Sequence, residues 1–136
     1  MIVVDTSQLA YLLIGGAVTK AARQVFLIDP EWAAPILWRS EFRNLLAHYL
    51  RKGELKQSQA TKLQEKAEEL LAGREYLSRS DQILRLVTES TLSAYDCECV
   101  ALARELRVPL VTSDKAILRE FPAIAMPPEV FVQRGA

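Results

Sequence analysis

Histidine and cysteine are scarce in this chain of 136 residues, which has one of the first and two of the second. A single imidazole, His48, excludes acid-base chemistry that needs a histidine pair. Cys97 and Cys99 are too close for an ordinary disulfide and lack the two-residue spacing of a redox or zinc pair, so they read as free thiols in a reducing cytosol. Charge of one sign is not in excess either. Seventeen Lys plus Arg balance seventeen Asp plus Glu, which excludes a broad basic field for unselective nucleic-acid binding and leaves only local contacts. No apolar run approaches the roughly 18 residues that span a bilayer. The apolar start Met1 to Val4 is cut by Asp5 and has no basic flank, unlike a secretory signal. Repeats, low-complexity tracts and terminal Lys/Arg clusters are missing as well. These absences predict a soluble cytoplasmic protein with no membrane association.

What is present is apolar content. Half of the residues are hydrophobic, enough for one compact domain over residues 1–136 with a real core. Ile2 to Val4 is a β-branched strand, followed by Asp5-Thr6-Ser7 as cap of a helix from about Gln8 to Ile14, ended by Gly15-Gly16. A helix over Lys20 to Leu27 stops at Asp29-Pro30, and Ala33 to Leu37 reads as a second strand. Helical spacing of Phe42, Leu45, Leu46, Tyr49 and Leu50 marks Arg39 to Lys52, and Ser58 to Leu71 is a further amphipathic helix with a charged outer surface. Between Arg74 and Thr91 only Gln82 to Glu89 reads as helix. Cys97 to Leu106 is helical, Val108 to Val111 is a strand, Ser113-Asp114 opens a short helix to Leu118, and a last strand falls near Ile124. Strands alternating with helices predict an α/β fold, a three-layer α/β/α sandwich on a mostly parallel sheet.

Ligands of open parallel sheets bind at the carboxyl ends of strands, and the sequence puts acids there. Asp5 follows the first strand directly. Asp114 follows Val108 to Val111 after Thr112 and Ser113. Glu41 and Asp96 sit in the first turns of their helices, where the macrodipole favours negative charge. Each acid alone has an ordinary explanation as a cap or a solvated side chain. Four at one sheet edge would repel unless a cation sat among them, and their hard oxygens select Mg²⁺ or Mn²⁺. Glu98, two residues beyond Asp96 on a helix, is expected to point away from the group.

The stretches Val4-Asp5-Thr6-Ser7, Arg39-Ser40-Glu41-Phe42-Arg43-Asn44-Leu45-Leu46, Ser93-Ala94-Tyr95-Asp96-Cys97-Glu98 and Leu110-Val111-Thr112-Ser113-Asp114 resemble those of PIN-domain proteins of the VapC toxin type, in order and in spacing. The resemblance implies a Mg²⁺- or Mn²⁺-dependent endoribonuclease, usually a homodimer, held inactive by a cognate VapB-type antitoxin. In that mechanism Asp5, Asp96 and Asp114 are metal ligands, and Glu41 either ligates or positions the water, so that all four are catalytic. Thr6, Ser7, Thr112 and Ser113 are supporting hydroxyls, and Asn44, one turn past Glu41, is expected to orient it or to face solvent. Arg39, Arg43 and Lys115 are the candidate contacts to RNA phosphates, with a solvated helix face as the plainer alternative. Many PIN domains carry another acid after the last Asp. Here Lys115 and Ala116 stand there, which favours one firmly held cation. His48 is expected to be partly buried, and Trp32 and Trp38 to fill the core or anchor a partner. Alternatives are a housekeeping PIN nuclease of RNA maturation and an inactive PIN module that binds RNA or protein. A phosphoryl-accepting receiver is disfavoured because the second strand runs into Trp38-Arg39 rather than an Asp.

Overall fold

The computed structural model describes residues 1–135; Ala136, the last residue of the expected domain, lies outside the described residues. In chain order the elements are β1 (Ile2–Val4), α1 (Thr6–Leu13), α2 (Thr19–Ile28), β2 (Trp32–Pro35), α3 (Trp38–Arg51), α4 (Gln57–Leu70) and β3 (Glu75–Tyr76). The second half adds α5 (Ser80–Glu89), α6 (Ala94–Leu106), β4 (Leu110–Val111), α7 (Lys115–Glu120), β5 (Ala125–Met126) and α8 (Pro128–Gly135). All four strand pairings are parallel, in the order β3-β2-β1-β4-β5. The expected α/β/α sandwich is therefore present, with a sheet that is wholly rather than mostly parallel.

The strands are short, and β1, β2 and β4 are buried along their whole length, as strands covered on both faces must be. Alternation divides their side chains between two cores. Ile2, Val4, Trp32, Ala34 and Val111 pack with α1 to α4 on one face. Val3, Ala33, Leu110 and Ala125 pack with α5, α6 and α7 on the other. The chain builds the sheet outward from β1 through β2 to β3, then returns to place β4 on the other side of β1. The crevice at the carboxyl ends of β1 and β4 is thus the topological switch point, where open α/β sheets bind ligands.

Several boundaries differ from expectation. β2 begins at Trp32 and ends at Pro35, so Ile36 and Leu37 form the turn into α3, and β4 is confined to Leu110–Val111. Arg107 explains the latter: its left-handed backbone (φ 58°) closes α6, and its N–H bonds Ala103 and Arg104 carbonyls, before the chain reaches Val108. β3 and α8 were not anticipated. Two residues carry no periodicity to read, whereas Pro128 at the first helical position was a usable signal for α8. Trp32 and Trp38 are fully buried, and their indole N–H groups donate to the Asp29 carbonyl at 2.9 Å and to Glu75 at 2.8 Å. They are core residues and anchor no partner. In α4 the charged residues do face outward, over an inner face of Ala60 and Ala67.

Candidate active site

Two acids enter the switch-point crevice as helix caps. Asp5 Oδ1 accepts the N–H of Gln8 at 3.3 Å, and Asp114 Oδ1 accepts the N–H of Ile117 at 3.0 Å. Capping uses one oxygen and leaves the other, so the ordinary explanation and a functional one coexist in the same side chain. The second oxygen of Asp5 accepts from the Thr112 hydroxyl at 2.5 Å. That hydroxyl in turn accepts the N–H of Asp114 at 3.0 Å. Thr112 is fully buried, and through one atom it ties the end of β1 to the loop after β4.

A second tie lies beside it. The Gln8 side-chain amide donates to Ser113 Oγ at 3.1 Å. Gln8 is buried, and its Oε1 has no hydrogen-bond partner among the described residues. A glutamine in a first helical turn is ordinary, and only its burial marks Gln8.

The other acids arrive from α3 and α6. Glu41, exposed in the first turn of α3, accepts from Thr6 Oγ1 at 2.9 Å. Its support is thus Thr6. Among the described residues Asn44 makes no hydrogen bond to it; with Ser7 it lines a groove that Thr6 and Glu41 also border. Ser93 caps α6 by accepting the N–H of Asp96 at 3.1 Å, which sets Asp96 in the first turn. Glu98 joins the group, contrary to expectation: with Asp5, Thr6, Glu41, Tyr95 and Cys99 it lines a narrow crevice of about 10 Å³. That is close to the space of a single water-sized body. Tyr95 stands at its lip, 65% exposed.

The electrostatics are those of crowded like charges. Burial, reinforced by the charges of Asp114 and Glu41, raises the Asp5 carboxyl to about 6 despite the bonds from Thr112 and Gln8. Asp96 is raised by burial and by Asp114, and Glu98 by burial and by Glu41. The Cys99 thiol under the crevice is pushed well up by burial and further by Asp5, Glu41, Asp96 and Glu98. It is an inert packing group. Among the described residues none of the five acids has a Lys, Arg or His partner within ion-pair distance.

Uncompensated carboxylates at a water-sized crevice are a donor set suited to a hard divalent cation. Among the described residues, no three acidic, thiol or imidazole groups already stand close enough to share one ion. Mg²⁺ keeps several waters and takes one or two carboxylates directly, so the chemistry of the donor set suits it without three ligands already in place.

Of the expected phosphate contacts, Arg39 is committed elsewhere. Its guanidinium donates to both oxygens of Glu75 at 2.6 and 2.7 Å and to Glu68 at 3.2 Å. It holds the Glu75 carboxyl below its usual range and locks α3 to β3 and α4. Arg43 Nε donates to the Arg39 carbonyl at 3.0 Å, and Lys115 is exposed beside Asp114. His48 is exposed rather than partly buried.

A model of the PIN domain family matches residues 2–123. A sequence comparison with curated proteins gives no match. Among solved structures, PAE2754 from Pyrobaculum aerophilum superposes with a TM-score of 0.76 at 24% identity, over 98% of this chain and 95% of that one. A toxin-antitoxin complex from Klebsiella pneumoniae gives 0.73 at 18% identity, over 94% and 98%. FitAcB from Neisseria gonorrhoeae gives 0.71 at 16% identity, over 95% and 99%.

Proposed function

Because the chain belongs to the PIN domain family, we propose that it is a divalent-metal-dependent endoribonuclease and the toxin of a VapBC-type toxin-antitoxin pair. PIN domains are in general nucleases. One observation carries the reading: Asp5, Glu41 and Glu98 line one crevice at the carboxyl end of the sheet, the charge of Asp114 raises both Asp5 and Asp96, and among the described residues none of the five acids has a cationic partner. The toxin role rests on the fold's likeness to a chain of a toxin-antitoxin complex and on the motif resemblance.

Asp5, Asp96 and Asp114 would hold Mg²⁺ or Mn²⁺, with Glu41 at the same crevice. The ion supplies positive charge against the scissile phosphate and acidifies a water for in-line attack. The chain's own part is positional. Thr112 fixes one Asp5 oxygen and the Asp114 backbone, and Thr6 holds Glu41 toward the crevice, where Glu41 accepts a proton from the attacking water. Lys115 and Arg43 offer exposed positive charge to neighbouring phosphates. A cognate antitoxin covering the acids and a homodimer complete the proposal.

Incubation of the purified protein with structured RNA, in Mn²⁺ or in EDTA, tests it against Asp5→Asn and Asp96→Asn. Cleavage is expected in Mn²⁺ alone and to fall at least about 100-fold in either variant, the scale of a lost catalytic group. Cleavage that persists in EDTA ends the metal reading. No cleavage by the wild type in either condition leaves an RNA- or protein-binding module instead.

A further inference from the structure

A groove of about 510 Å³ runs between α1 and α3 and shares Thr6 and Glu41 with the acid site. Its volume falls in the range of about 300–1,000 Å³ usual for small-ligand pockets. Tyr11 enters from α1, while Asn44, His48 and Tyr49 enter from α3. On α3, Glu41, Asn44 and His48 follow one another at helical spacing, so the groove leads away from the acids for about 10 Å.

Its chemistry is unlike that of the acid crevice. No Lys or Arg lines it, and Glu41 at its mouth is its only carboxylate. A phosphate or an acidic segment would meet no positive partner there beyond what His48 can carry. A flat, uncharged ring system would meet three aromatic or imidazole rings, together with an amide that both donates and accepts. Those are the requirements of a nucleobase: faces to stack on and an edge to read.

We propose that this groove is a nucleobase subsite, holding the base of the nucleotide next to the scissile phosphate, with Asn44 reading its edge and the rings of Tyr11, His48 and Tyr49 gripping its face. This rests on the RNA-cleaving reading above. It assigns the strand a direction across the molecule, with the phosphate at the acids and the adjoining base between α1 and α3. It also gives Asn44 and His48 a function that neither has in the fold, since both are exposed and neither makes a side-chain hydrogen bond among the described residues.

Two measurements test it. In NMR titrations under EDTA, the ring protons of Tyr11, His48 and Tyr49 and the Asn44 side-chain amide should shift with nucleoside 5′-monophosphates and stay still with ribose 5-phosphate. This requires no catalysis, so a chain that cuts no RNA yet shows these shifts keeps the subsite and loses the nuclease reading. On a random RNA pool with Mn²⁺, sequencing of the cut ends should show base preference at one flanking position falling about tenfold in Asn44→Ala. His48→Ala should raise KM about tenfold with kcat little changed. Both side chains are exposed, so neither variant threatens the fold. Shifts equal with ribose 5-phosphate, or rings unmoved by any nucleotide, overturn the proposal, as does cleavage with unchanged preference and KM in both variants; the groove would then fall to a protein segment.

Discussion

Replacing Asp5 by Asn should make the metal-free protein more stable at neutral pH while destroying its activity. Folding raises the Asp5 carboxyl from 3.8 to about 6, which corresponds to a cost of about 3 kcal/mol once the group is ionised in both states. The sign follows from the direction of the shift. Below about pH 4 both states hold the proton and nothing is lost; between about 4 and 6 the unfolded chain releases it first, and stability falls as pH rises; above about 6 the full cost is present. Asn removes that cost and still caps α1, because Asn and Asp cap equally well. Its single side-chain oxygen cannot accept from both Gln8 and Thr112, so one hydrogen bond worth about 1 kcal/mol is lost. The net gain at pH 7.5 is about 1–2 kcal/mol, or about 4–7 °C in Tm for a chain of this length. Thermal melts by circular dichroism in EDTA, at pH 7.5 and at pH 4, measure the difference, which should vanish or reverse at the lower pH. A variant less stable than wild type at pH 7.5, by the same margin at both values, would show that Asp5 acts through its hydrogen bonds alone, with no cost of burial, and refute the reasoning.

Adding Mg²⁺ or Mn²⁺ at ten times its dissociation constant should stabilise the wild type by about 1.4 kcal/mol, and the Asp5→Asn protein far less; equal shifts in the two would put the ion elsewhere. Since Asp5 must release its proton to ligate, apparent Mn²⁺ affinity by calorimetry should weaken about tenfold per pH unit below about 6, and a flat profile would contradict this. Glu98→Gln, which removes an acid from the crevice, should lower kcat about tenfold or more without lowering Tm; unchanged kcat returns Glu98 to a surface role. Arg39→Ala should lower Tm, because it strands Glu75 beside Trp38, and leave cleavage by the folded fraction intact. Lys115→Ala should do the opposite, with Tm kept and KM raised; the reverse pattern in either variant would overturn these assignments.

The layer architecture was legible in the sequence because both faces of the sheet are covered, which leaves β1 as an unbroken apolar run ended by an acid. The same rule pointed to Asp5 and Asp114, since each leaves its strand as the cap of the next helix. Glu98 was missed for a geometric reason. Two residues along a helix do turn the side chain away from Asp96, but the face of α6 that lines the crevice is the one carrying Tyr95, Glu98 and Cys99 at helical spacing, and Asp96 is not on it. The ion pairs of Arg39 were not legible because its partner Glu75 lies 36 positions away on a two-residue strand that carries no pattern. Gln8 was hidden for a related reason: Ser113, the partner that gives it its significance, lies more than a hundred positions off in the chain.

The bond from Thr112 to Asp5 spans 107 positions, and the strand pair that brings its ends together is only two residues deep in register, Val3 to Leu110 and Val4 to Val111. During synthesis the ribosome therefore extrudes Asp5 and Glu41 long before β4 exists to stand beside β1, and Asp96 also precedes it. A nascent chain carries most of the acids but not the neighbour that gathers them, and truncated products inherit the same deficiency. The acids are gathered only with one of the last long-range pairings of the fold, so on the proposed function a cell making this protein meets an assembled centre only in molecules whose β4 has paired.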